Sequence, residues 1–191
     1  IILSRIESGE GHQIIGILDD DDKKKSLRGY PVLGTVDRIP TLREDKEIHF
    51  INGVGNNTIR KKIYEKYCNE QYYTAIHPSA IIGSGVTIEP GCVIMPGAII
   101  NADSSIGKQA LINTGAIVEH DNKIGAFAHI ASGVTTAGNV TVGECSMLGT
   151  GTKVIQGITI GSHVMVGAGA VVIRDIGDHV TAVGVPARII K

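Results

Sequence analysis

The stretch Ile106-Gly107-Lys108-Gln109-Ala110-Leu111-Ile112-Asn113-Thr114-Gly115-Ala116-Ile117-Val118 decides the fold. Ile106, Ile112 and Val118 stand six apart, and Ala110 and Ala116 follow the first two of them by four. The same spacing runs outward through Ile100, Ile94, Ile88, Ile82 and Ile76, and onward through Ile124, Ile130, Val142, Leu148, Val154, Ile160, Val166 and Val172. Thr136 alone breaks the aliphatic series, and no insertion shifts the frame. A six-residue unit cannot bury its own apolar face, so copies must stack into a solenoid. Six is not a helical period and is a multiple of the strand period of two. The solenoid is therefore built of very short strands joined by turns. Independent strands of a sandwich would not hold one phase over so many units.

A small or β-branched residue recurs four positions after each aliphatic: Ala80, Val86, Cys92, Ala98, Ser104, Ala128, Val134, Val140, Ser146, Thr152, Val164 and Ala170 continue the pattern, while Asn122 and Ile158 depart from it. Both series point inward, with an outward residue between them. Glycine often follows the aliphatic, as at Gly83, Gly107, Gly125, Gly143, Gly149, Gly161 and Gly167. A tight turn needing a permissive backbone is the expected reason.

This pattern resembles the hexapeptide-repeat family, whose fold is a left-handed parallel β-helix of triangular section with eighteen residues per coil. The left hand is carried by the resemblance, since the general crossover rule favours the opposite hand. The expected organisation is a solenoid over 76–191 preceded by a small α/β unit over 1–75.

Composition narrows the function. The formal net charge of -1 provides no general basic field for nucleic acid. No apolar run is long enough to span a membrane, and no signal peptide is visible. Scarce aromatics and the absence of Trp suit a narrow prism that accepts aliphatic and small side chains. Three cysteines, Cys68, Cys92 and Cys145, form no paired framework and favour a reducing cytoplasm. Cys92 falls on an inward position and reads as a small core residue.

Before residue 76 the period changes. The chain starts at Ile1 without methionine, and Ile1 to Ile6 reads as the later part of a helix, so an N-terminal piece is expected to precede it. Ile14 to Leu18 reads as a buried strand that ends in the acidic run Asp19 to Asp22, followed by Lys23 to Lys25. Tyr30 to Val36 holds a turn and a short strand. Ile48 to Val54 reads as a strand, then Gly55-Asn56-Asn57 and a helix from about Thr58 to Cys68, with Asn57 or Thr58 as its N-cap. Strands alternating with helices predict a small parallel sheet. Ligands of such sheets lie beyond the carboxyl ends of strands, which would put Asp19, Asp20, Gly55 and Asn56 on one edge. By residue type alone, a solvated loop for Asp19 and Asp20 and a turn and helix cap for Gly55 and Asn56 are the simpler reading.

Ile17-Leu18-Asp19-Asp20, Gly55-Asn56-Asn57-Thr58-Ile59-Arg60, Ile76-His77-Pro78-Ser79-Ala80 and the closing Val183-Gly184-Val185-Pro186-Ala187-Arg188 are together similar to one subfamily, the sugar O- and N-acyltransferases. It includes bacterial enzymes that acetylate amino groups of nucleotide-linked sugars and relatives that acetylate sialic acid. The resemblance implies acetyl-coenzyme A as donor, a nucleotide-sugar acceptor held by the N-terminal domain through Asp19, Asp20, Gly55 and Asn56, and a homotrimer. The family's first strand and its glycine- and histidine-containing loop have no counterpart here. Gly9-Glu10-Gly11-His12 lies after the expected helix and does not replace them.

The frame places residues without coordinates, because residues eighteen apart stack at roughly one strand spacing of 4.8 Å. One outward column reads Val93, Leu111, His129, Met147, Met165. A second reads Ile81, Ile99, Ile117, Thr135, Lys153, Val171. The third, Thr87, Ser105, Lys123, Thr141, Thr159, is polar and should face water. Two apolar faces on a prism predict a closed three-fold ring. His120 lies at a corner in Val118-Glu119-His120-Asp121-Asn122, between Ala102 and Gly138 of the neighbouring coils. Those small residues leave room for a substrate, and a polar cluster that breaks a regular pattern marks function.

The resemblance makes His120 the catalytic base. Neutral imidazole suits removal of a proton from an acceptor amine or hydroxyl near pH 7. Asp121 would orient it, and Asn113 would hold the acceptor. The same resemblance assigns the acetyl donor to His129, Gly138, Thr150, Gly167 and Ala168. His129 is half a coil from His120 along the chain, so the expected site is shared, with His120 from one chain and His129 from the next. The bland readings are an exposed turn histidine for His120 and an interface residue for His129.

Other functions on the same fold are an O-acetyltransferase acting on a sugar hydroxyl, a non-catalytic scaffold, and a metal-dependent carbonic anhydrase. The last needs three histidines. The candidates His77, His120, His129 and His163 include no pair at five-residue spacing, so no metal is expected.

Overall fold

The structure, a computed structural model, describes residues 13–21, 23–42, 44, 48–67 and 72–191. The expected helix at Ile1 to Ile6, the Gly9–His12 stretch and Cys68 lie outside the described residues.

From Ala75 onward the chain winds as a left-handed parallel β-helix of two-residue strands. The first sheet holds Ala75–Ile76, Val93–Ile94, Leu111–Ile112, His129–Ile130, Met147–Leu148 and Met165–Val166, extended by Thr181–Val183 and an antiparallel Arg188–Ile189. The second runs from Ile81–Ile82 to Val171–Val172, and the third from Thr87–Ile88 to Thr159–Ile160. Register is eighteen residues from Ala75 to Val172, as in Leu111 on His129, Ile117 on Thr135 and Lys123 on Thr141, and the last coil is shorter, with Met165 on Thr181. The three outward columns are therefore those of the sequence frame. From the second coil onward the inward series is closed to solvent: Ile94, Ile100, Ile112, Ile130, Leu148 and Ile160 are fully buried, as are Ala98, Ala116, Ala128 and Ala170, whereas Ile82 in the first coil is exposed.

The recurrent glycines have a different cause from the expected one. Gly107 and Gly143 are outside the left-handed region. A Cβ at Gly107 would meet Ala126 N at 2.6 Å, and one at Gly143 would meet Gly161 C at 2.4 Å. Glycine is needed there because the next coil's main chain passes where a side chain would stand. The left-handed residues come two positions later. The corner between the second and third sheets uses Gly85, Asp103, Asp121, Asn139 and Gly157, types that tolerate positive φ.

The N-terminal part holds a small sheet. Ile17–Leu18 (β1) pairs in parallel with Tyr30–Gly34 (β3), and Ser26–Leu27 (β2) adds to β3 antiparallel. The expected strand over Ile14 to Leu18 is thus shorter. The expected strand over Ile48 to Val54 is reduced to a single bridge from Phe50 to Tyr72, and the segment does not join the sheet of β1. Ile39–Leu42 (α1) is one turn, and Asn57–Lys66 (α2) is the main helix. Its N-cap is Asn56, not Asn57 or Thr58: the Asn56 side chain accepts from Ile59 N at 3.0 Å. This choice frees Asn57, whose Nδ2 reaches the prism and donates to the carbonyls of Cys145 (3.0 Å) and Ser146 (3.1 Å). Tyr64 meets Phe127 edge-on at 5.5 Å, and Lys61 pairs with Glu144 at 2.6 Å. The helix is therefore docked on the corner between the third and first sheets.

Candidate active site

His120 and Asp121 form the turn after Ile117–Val118. Asp121 is left-handed (φ 59°), which folds its carboxylate back toward its neighbour. His120 Nδ1 and Asp121 Oδ2 are 2.7 Å apart, and both side chains are more than half exposed. The bond fixes the neutral tautomer: Nδ1 carries the hydrogen and Nε2 keeps its lone pair. The same carboxylate raises the imidazole pKa above its ordinary value, first by that hydrogen bond and then by its charge, with Glu119 adding a smaller push.

The ring lies over Gly138 of the next coil. A Cβ on Gly138 would stand 2.6 Å from His120 Cε1 and 2.7 Å from Nε2. Gly138 is also outside the left-handed region, so the imidazole, not the backbone, requires glycine there.

Asn122 holds this corner from inside the prism. It is fully buried, and its Nδ2 donates to the carbonyls of Glu119 (2.7 Å), Ala137 (2.9 Å) and His120 (3.1 Å). Ser104 Oγ donates to Glu119 O at 2.9 Å and accepts from Asn122 N at 3.1 Å. Among the described residues, Asn122 Oδ1 and Thr136 Oγ1 are buried without hydrogen-bond partners. The two breaks in the apolar pattern thus lie on the coils that carry His120 and Gly138. Outside, Asn101 Nδ2 donates to Glu119 Oε2 at 2.8 Å.

Asn113 is not beside His120 within the chain. It follows Leu111–Ile112, at the corner between the first and second sheets. Its Oδ1 accepts from Thr114 N at 2.7 Å, so its Nδ2 is the group facing His129 Nε2 at 3.2 Å. His129 therefore accepts at Nε2 and carries its hydrogen on Nδ1. His129 is buried, at 8% exposure, and its pKa falls to about 4. Burial is the largest cause and the Arg60 charge the second, with the nearby Gly55 main chain opposing them, and the buried Nδ1 has no hydrogen-bond partner among the described residues. The first outward column is thus not bare at this level: the chain's own N-terminal segment covers His129.

The other expected donor residues are spread over two corners. Thr150, Gly167 and Ala168 sit on adjacent coils at the corner nearest Asn113, joined by Gly169 N donating to Thr150 O at 2.8 Å. Gly138 lies at the His120 corner. The four expected acceptor residues are not on one sheet edge. Asp20 Oδ1 accepts from Val36 N at 3.0 Å. Asp19 pairs with Lys24 at 2.8 Å, which holds its carboxyl below the ordinary range. Asn56 caps α2, and the Gly55 carbonyl faces Arg60 at 3.3 Å. Among the described residues no group of three or more His, Cys, Asp or Glu is placed to hold a metal ion, and no helix is long and apolar enough to cross a membrane.

The family description "PglD N-terminal domain" matches residues 1–67, and "Bacterial transferase hexapeptide (six repeats)" matches residues 79–114. The crystal structure of PerB from Caulobacter crescentus, in complex with CoA and GDP-perosamine, is 42% identical, with a TM-score of 0.85 over 92% of this chain and 84% of that one. The chain belongs to the hexapeptide-repeat sugar acetyltransferase family. A second member is the acetyltransferase domain of PglB from Neisseria gonorrhoeae FA1090 in complex with acetyl coenzyme A. It is 35% identical with a TM-score of 0.87, over 99% of this chain and 93% of that one. UDP-N-acetylbacillosamine N-acetyltransferase from Bacillus subtilis (strain 168) is 45% identical over 80 residues, 39% of this chain. That match spans 37% of the curated relative's length. Membership makes this chain an acetyltransferase.

Sequence reasoning gave no role to Ser104, which bonds the His120 turn, or to Arg60, which is buried against the Phe127 carbonyl. Asn122 was visible as a break in the pattern, though not as the clamp on the His120 turn.

Proposed function

We propose that this acetyltransferase moves an acetyl group from acetyl-coenzyme A to the amino group of a nucleotide-linked amino sugar, with His120 as general base. The observation that carries this is the His120–Asp121 pair at 2.7 Å, exposed at a corner with its ring over a glycine. With Nδ1–H bonded to Asp121, the free Nε2 lone pair takes the proton from the sugar amine. The amine nitrogen bonds to the thioester carbon, and the tetrahedral intermediate expels the thiolate of coenzyme A. The imidazolium returns the proton to that thiolate. Direct attack needs no covalent enzyme intermediate, and turn amides are suited to stabilise the oxyanion. Thr150, Gly167 and Ala168 would flank the donor, and Asn113 would meet the acceptor. The donor and acceptor classes are those bound by the PerB and PglB relatives.

Because Asn113 and His129 stand at a different corner from His120, the site is completed by a neighbouring copy. The assembly is a trimer. Its motive is the apolar second column, where Ile81 is 60% exposed and Ile99 and Ile117 are part-exposed. Light scattering at micromolar concentration should give three times the chain mass. Leu111→Asp or Ile117→Asp should break the assembly, whereas Thr141→Asp on the polar face should not. Cys92 and Cys145, both free thiols, fit a cytoplasmic enzyme.

The test is coenzyme A release, followed with a thiol reagent, over a panel of GDP- and UDP-linked 4-amino sugars, free amino sugars and sialic acid. Turnover on the nucleotide-linked amines is expected to exceed strongly that on the free amino sugars, with none on sialic acid. Turnover on sialic acid alone would make the enzyme an O-acetyltransferase, and none on any acceptor of the panel would overturn the acceptor class.

A further inference from the structure

Arg60 is the largest fully buried side chain described, at 2% exposure, and it sits between two parts of the molecule. Its Nε donates to Gln109 O at 2.9 Å. Nη2 donates to Phe127 O at 2.7 Å, to Asn57 Oδ1 at 2.9 Å and to Ala128 O at 3.4 Å. Nη1 points the other way, to Val54 O at 2.9 Å and Gly55 O at 3.3 Å. Every acceptor is neutral, and among the described residues no carboxylate pairs with it. Burying a guanidinium without a counter-charge is costly, and only a full set of hydrogen bonds offsets it. The rigid fork of donors can satisfy loop and prism at once, which a lysine ammonium cannot.

The carbonyls it joins are informative. Phe127 and Ala128 lead directly into His129, and Gly55 begins the Gly55-Asn56 turn at the start of α2. Asn57 carries the same junction one coil further, to Cys145 and Ser146.

We propose that Arg60 is a positioning residue that sets the Val54–Gly55 loop at a fixed distance from the coil bearing His129, and so aligns the nucleotide end of the acceptor with the reacting centre. This rests on the reading that the Gly55-Asn56 turn helps hold a nucleotide-linked acceptor. Binding energy from the remote nucleotide is useful to the reaction only if the loop and the reacting centre are rigidly related. Arg60 makes that relation rigid, since both ends of its guanidinium are saturated.

The experiment compares the parent, Arg60→Lys and Arg60→Met on a nucleotide-linked amino sugar and on the same amino sugar without its nucleotide, in steady state. The parent should prefer the linked acceptor strongly. In Arg60→Met the preference should shrink by roughly 10–10²-fold, through a lower kcat/KM with a reduced kcat for the linked acceptor, while kcat/KM for the free amino sugar and KM for acetyl-coenzyme A stay at parental values. Arg60→Lys keeps the charge but not the fork and should fall between. It supplies the readout should Arg60→Met fail to fold. Equal loss on both acceptors, or an unchanged preference in the folded variants, would overturn the role of Arg60. A parent with no preference for the linked acceptor would instead overturn the acceptor reading on which the proposal stands.

Discussion

Replacing His120 by Ala is expected to lower kcat/KM by roughly 10²–10⁴-fold, the usual contribution of a positioned general base. The side chain is exposed, pairs with Asp121 and lies over Gly138. Fold, assembly and donor affinity should therefore stay near parental values. The pH profile carries a second check. A base acts only when deprotonated, and Asp121 holds the His120 pKa above its ordinary value. The parental rate should thus fall toward acid pH with an inflection above about 6.5. Asp121→Asn removes the stabilising charge, so the inflection should move to lower pH while the maximal rate drops through loss of orientation. His129 should not shape this limb, because its pKa of about 4 keeps it neutral throughout. Near-parental turnover of His120→Ala at neutral pH would move the base to another residue.

A single methyl group at Gly138 should be nearly as damaging as a change to the base itself. The added Cβ would stand 2.6 Å from Cε1 and 2.7 Å from Nε2 of His120, closer than such atoms approach. The imidazole is the movable partner, so it must swing off the corner and lose its bond to Asp121. Displacement by about 1 Å from a productive geometry can cost on the order of 10²-fold in rate. Gly138→Ala should therefore lower kcat by that order with little change in melting temperature, because Gly138 is not in the left-handed region and its coil is otherwise undisturbed. The comparison with Gly133→Ala is informative. That glycine is left-handed (φ 66°) with open space around it, so alanine there should reduce stability and leave kcat alone. Equal turnover in Gly138→Ala and the parent would mean that the ring works from another position.

Much of this protein was legible in one dimension. The six-residue period fixed the sheets, the register and the inward set, because a parallel stack with constant coil length turns sequence spacing directly into spatial adjacency. Leu111 on His129 and Lys123 on Thr141 follow from counting. The corner position of His120 also follows from counting, and Asn122 beside it departs from the small-residue series, whereas the role of His120 rests on the family resemblance. Where the period stops, counting stops working. The segment Ile48 to Val54 has the composition of a strand, yet it makes one bridge, since its partners are chosen by docking and not by its own alternation.

What only the tertiary structure decided lies between coils and between the two parts of the chain. Spacing suggested that the glycines after the aliphatics serve turns. Close passage of the next coil's main chain is the actual demand at Gly107 and Gly143, and a neighbouring imidazole is the demand at Gly138. The sequence shows Asn122 as an anomaly but cannot show that its amide grips Glu119, His120 and Ala137 together. Arg60 reads as one more charged residue on a helix. It becomes a buried junction because Asn56 caps that helix and turns its first two turns toward Phe127. Local periodicity is set by each residue's own neighbours along the chain. Burial, tautomer and pKa are set by groups tens of residues away, and the folded chain alone brings those together.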